Sequence, residues 1–82
     1  MNAIAICSDI SAALSTHLIS VLQEEVDSLE LQARVVMGQA PDNEEDLWEV
    51  TVLTEGPFNN GTKVHLQSMA HGAKKLWARE IS

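Results

Sequence analysis

Cys7 is the only cysteine in 82 residues, so the chain can form no internal disulfide and cannot build a cysteine-rich zinc site. A lone thiol is at home in a reducing compartment, and the reading from sequence is a cytoplasmic protein. There is no tyrosine, and Trp48, Phe58 and Trp77 are the only aromatics. The core must therefore be largely aliphatic, with the two tryptophans as its anchors. No apolar run approaches the ~18 residues needed to cross a bilayer, and no membrane association is expected. The opening Met-Asn-Ala-Ile-Ala-Ile-Cys-Ser-Asp carries no positive charge before its short apolar run and does not read as a secretory signal. Glycines 38, 56, 61 and 72 are scattered, so there is no glycine-rich phosphate loop.

Basic residues are also scarce, five against twelve acids. Residues 1–60 hold eleven of the acids against Arg34 alone, a formal charge of −10, whereas residues 61–82 carry Lys63, Lys74, Lys75 and Arg79 against Glu80, a formal +3. An acidic chain repels nucleic acid and anionic membranes at long range and attracts basic protein surfaces. Direct nucleic-acid binding is disfavoured on this ground.

What remains is an ordinary globular composition, 45% hydrophobic and 21% charged, in a length that suits one domain spanning residues 1–82. Ile10, Ala13, Leu14, Leu18, Val21, Leu22 and Val26 recur by threes and fours, which predicts an amphipathic helix from Ser8, as N-cap, to about Asp27. Residues 2–7 admit two readings. Ala3 and Cys7 continue the helical stripe, the reading preferred here, while Ile4 and Ile6 alternate as in a short strand. Period-two alternation then predicts strands over 29–37 and 47–54, pairing antiparallel across the loop that contains Pro41. Asn59-Asn60-Gly61 reads as a hairpin turn, which puts a short third strand at Thr62–Leu66. Leu66, Met69, Ala70, Ala73, Leu76, Trp77 and Ile81 return to helical spacing, beginning near Gln67 or Ser68. The expected fold is α+β, two helices on one face of a small antiparallel sheet, in the order α-β-β-(β)-α.

The candidate binding residues are Asp42, Glu44, Glu45, Asp46 and Glu49, a run of carboxylates leading into the strongest strand. Same-side residues of a strand lie ~6.6 Å apart, close to the spacing of successive phosphates, so such a surface can stand in for a nucleic-acid backbone against a basic groove. Most acidic runs only solvate the surface, and that plain reading stands beside it. The cluster fails the calcium-loop pattern: counted from Asp42, the sixth position is Leu47 instead of glycine and the twelfth is Leu53 instead of glutamate. No metal and no cofactor are expected. His17, His65 and His71 show no ligand spacing, and Cys7 has no histidine and acid arranged around it as nucleophilic catalysis requires. The chain is not read as an enzyme.

His71, Lys75 and Arg79 recur every four residues and form a second, basic face on the last helix. Helix, three antiparallel strands, helix is also the element order of double-stranded-RNA-binding domains, although here the charge comes late in the helix. The leading reading is a small acidic protein that binds a partner with a basic surface. In size, charge and lack of catalytic groups it is similar to small inhibitors such as the anti-restriction and anti-CRISPR proteins of phages. The alternatives are a self-associating module, acidic strand edge against basic helix, and nucleic-acid binding through the last helix.

Overall fold

The computed structural model describes residues 1–39 and 47–81, and of Gln39 and Ile81 only the backbone. The elements are β1 (Asn2–Ile10), α1 (Ala12–Ser28), β2 (Ala33–Gln39), β3 (Trp48–Thr54) and α2 (Asn60–Ile81). The expected architecture is present: two helices pack on one face of a three-stranded antiparallel sheet. The strand order is β1-β3-β2, so β3 lies between two strands to which it is antiparallel.

The alternating, β-branched sequence Trp-Glu-Val-Thr-Val-Leu-Thr suits a central strand. Val50 and Val52 are fully buried on the helix side, and Thr51, on the other face, is still largely covered by its cross-strand neighbours. The register aligns Ile4, Val52 and Val35 beneath the helices. Two rows, Ala3–Leu53–Arg34 and Ala5–Thr51–Val36, lie on the face without helices.

The third strand comes from residues 2–10, where a helical reading was preferred. Pairing with β3 resolves the ambiguity in favour of the Ile4/Ile6 alternation. Register shifts between Ala5 and Cys7 and again between Cys7 and Ile10 bring both Ile6 and Ile10 into the core. Asp9, at φ 58°, lies within the irregular stretch of β1 between Cys7 and Ile10 and does not open a helix. The N-cap is consequently Ser11, not Ser8. Its hydroxyl accepts the Leu14 N–H at 3.2 Å.

From there α1 follows its expected stripe, burying Leu14, Leu18, Leu22 and Val26. It closes with two interlocking bonds, Leu31 N–H to the Val26 carbonyl and Glu30 N–H to the Asp27 carbonyl, each 3.1 Å. This closure puts Glu30 in the left-handed region at φ 56°.

Thr62–Leu66 is not a strand but part of α2. The Asn59 side chain accepts the Gly61 N–H at 2.6 Å, and its carbonyl accepts the Lys63 N–H at 3.1 Å, which caps a helix instead of closing a hairpin. Val64, which falls off the apolar stripe, faces outward at 55% exposure while Leu66 and Ala70 are buried. A solitary exposed valine costs little.

Helix α1 lies over β2 and β3, and α2 lies over β1. The helices run antiparallel. His17, early in α1, stacks on Trp77, late in α2, with centroids 5.1 Å apart, and Glu25, late in α1, pairs with His65, early in α2.

Candidate functional site

Of the five carboxylates singled out in the sequence, Asp42, Glu44, Glu45 and Asp46 lie outside the described residues. Glu49 does not. It stands opposite Gly38 on the helix-free face, half-buried, and its Oε1 accepts the Thr51 hydroxyl at 2.9 Å. Residues two apart on a strand share a face, which is why Thr51 can orient it. Gln39 and Trp48 pair with each other at the end of the sheet where Glu49 sits.

The acids at the end of α1 belong to a different place. Glu24, Glu25, Asp27 and Glu30 adjoin the start of β2, whereas Glu49 pairs near its finish, and the seven residues of β2 span ~20 Å. They are also partly engaged: Asp27 accepts a hydrogen bond from the Gln23 amide at 3.0 Å, and Glu25 pairs with His65. Glu49 and the acids at the end of α1 therefore do not share one surface.

His71, Lys75 and Arg79 are all exposed along α2, with Ser68 before them. Among the described residues Arg34, Lys63, Lys74, Lys75 and Arg79 form no ion pair. Because Trp77 stacks on His17, the last turns of α2 run toward the start of α1. That start follows Ile10, which pairs with Trp48. The basic end of α2 thus lies at the same end of the molecule as Glu49, on the opposite layer. Charges far apart in sequence share one end of the fold.

His17 is exposed and held by a ring contact with Trp77. Cys7 is a half-buried strand residue packed against the core. No group of three or more histidine, cysteine or acidic side chains among the described residues could hold a metal ion. An open cleft of about 290 Å³ lies at the far end of the sheet, lined by Met1, Gln32, Ala33, Arg34, Leu53 and Glu55. No described helix is long and apolar enough to cross a membrane.

Comparison with models of protein families, with curated proteins and with solved structures found no match.

The expectation of two helices on one sheet face already implied an uncovered face; what escaped the sequence reading is a difference between the two edge strands. On β2 the Val35 N–H is met by the Gln23 side-chain oxygen of α1 at 2.8 Å. No such side chain meets the outer edge of β1 among the described residues.

Proposed function

We propose that this chain is a non-enzymatic protein-binding module whose contact surface centres on Glu49 and the neighbouring Asp42, Glu44, Glu45 and Asp46. The observation that carries the reading is the Glu49 carboxylate, fixed by Thr51 on a sheet face that no helix covers, three residues after the last of the other four acids in the sequence. A carboxylate held in place loses little side-chain freedom on meeting a lysine or arginine, so it favours recognition over mere solubility.

The partner is a protein with a basic surface. Where that surface is a nucleic-acid groove, the chain acts as an inhibitor by occupying it in place of phosphates. The test is affinity capture with the whole chain and with the variant carrying Asp42→Asn, Glu44→Gln, Glu45→Gln, Asp46→Asn and Glu49→Gln. The reading expects a retained protein that the variant loses, that high salt releases and that duplex DNA or RNA displaces. A retained protein that binds both forms equally well would overturn it.

A further inference from the structure

We propose that the outer edge of β1 is a docking site for an extended acidic segment of another protein, which adds to the sheet as a fourth strand.

The backbone directions follow from one bond. Because the Val35 N–H is donated to Gln23, it points away from β3, and Val35 and Val52 form a pair without mutual hydrogen bonds. Val52 must then direct its N–H and C=O toward Ile4 on the other side. Ala3 and Ala5, one residue to either side of Ile4, turn theirs outward to the free edge. Both residues are exposed, and both have side chains too small to hinder a neighbouring strand.

Over the first half of β1 the charge and proline that usually guard an edge are absent, and Asp9 and the register shifts lie beyond it. Residues 2–8 contain no charge and no proline, whereas β2 carries Arg34 and the Gln23 cap. The irregular register beyond Ala5 limits regular pairing to the first half of β1.

The chemistry of the occupant is set by α2, which overlies β1. Leu66 and Ala70 point into the core, and His65 reaches Glu25 on α1. The flank about 60–100° to the other side of Leu66 therefore faces away from α1 and over the β1 edge, and it carries Lys63, Gln67 and Lys74. Neither lysine has an ion pair among the described residues. They are ~16 Å apart along the helix, about the length of five extended residues. A strand laid beside β1 with carboxylates on its helix-facing side would meet both lysines and satisfy the outward groups of Ala3 and Ala5.

A second copy pairing β1 with β1 would set these lysine flanks against each other, which disfavours that occupant. The net negative charge of the chain slows encounter, but beyond a Debye length of ~8 Å it is largely screened.

The test adds a capped nine-residue peptide of alternating valine and glutamate to the isotope-labelled full chain, with the valine–lysine peptide in parallel. The glutamate peptide should slow amide exchange at Ala3 and Ala5 at least tenfold and bind at least tenfold more tightly than the lysine peptide. Lys63→Glu combined with Lys74→Glu, both on the helix surface, should weaken binding at least tenfold without unfolding the chain. Ala5→Pro, which removes an outward donor, should abolish it. Unchanged exchange at Ala3 and Ala5, equal binding of both peptides, or protection that appears without peptide and grows with protein concentration would each overturn the proposal. The acidic surface around Glu49 takes no part in this experiment, so the two readings fail separately.

Discussion

The Gln23 side-chain oxygen accepts the backbone N–H of Val35 at 2.8 Å, tying α1 to the outer edge of β2. The same side chain donates to Asp27 at 3.0 Å, which holds it in place. Replacing it by methionine keeps the shape and removes the acceptor. Gln23→Met should cost about 1 kcal/mol in urea unfolding, the worth of one partly buried hydrogen bond. No loss of stability would mean that water replaces the amide at no cost.

Ser15 is fully buried on α1, and its hydroxyl has no hydrogen-bond partner among the described residues. An unsatisfied buried hydroxyl is unfavourable, and alanine is the better helix former. Ser15→Ala should therefore raise stability by about 1 kcal/mol, seen as a higher urea midpoint with an unchanged slope. A destabilised variant would show that the hydroxyl has a partner.

Glu30 sits at φ 56° in the closure of α1, a position that suits glycine. Glu30→Gly should stabilise the chain by about 0.5–1 kcal/mol, and Glu30→Ala should not, which separates relief of backbone strain from removal of a charge. Thermal unfolding of the pair distinguishes the two.

Asn59 opens α2 by accepting the Gly61 N–H. Asn59→Ala should cost about 1 kcal/mol and raise amide exchange in the first turn, residues 60–63. Were this segment a hairpin turn, the rise in exchange would extend into β3.

The elements that sequence reading recovered are those with sustained patterns. Four buried residues at intervals of four define α1, and the alternating Trp48–Val50–Val52 defines β3. The errors fall where a short run fits both periods. Residues 2–7 satisfy a helical stripe through Ala3 and Cys7 and a strand through Ile4 and Ile6, and only the partner strand decides between them. Asn59-Asn60-Gly61 is likewise chemically suited to a turn or to a cap, because an asparagine oxygen can meet a backbone N–H in either.

The candidate site was legible as residue types but not as a place. Charge runs are plain in the sequence, yet nothing in it reveals that Glu49 and the acids ending α1 lie at opposite ends of β2. Nor does it reveal that the basic turns of α2 return to the Glu49 end. The Gln23–Val35 bond spans twelve residues and two elements, and no local pattern announces it.

The contrast between the capped edge and the open edge of the sheet is tested most directly by residue-resolved amide hydrogen exchange on the free, dilute chain. Val35, donating to Gln23, should exchange slowly, while Ala3 and Ala5 should exchange at close to the rate of an unstructured peptide. Protection of Ala3 and Ala5 equal to that of Val35 would mean that the β1 edge is already occupied, and would contradict it.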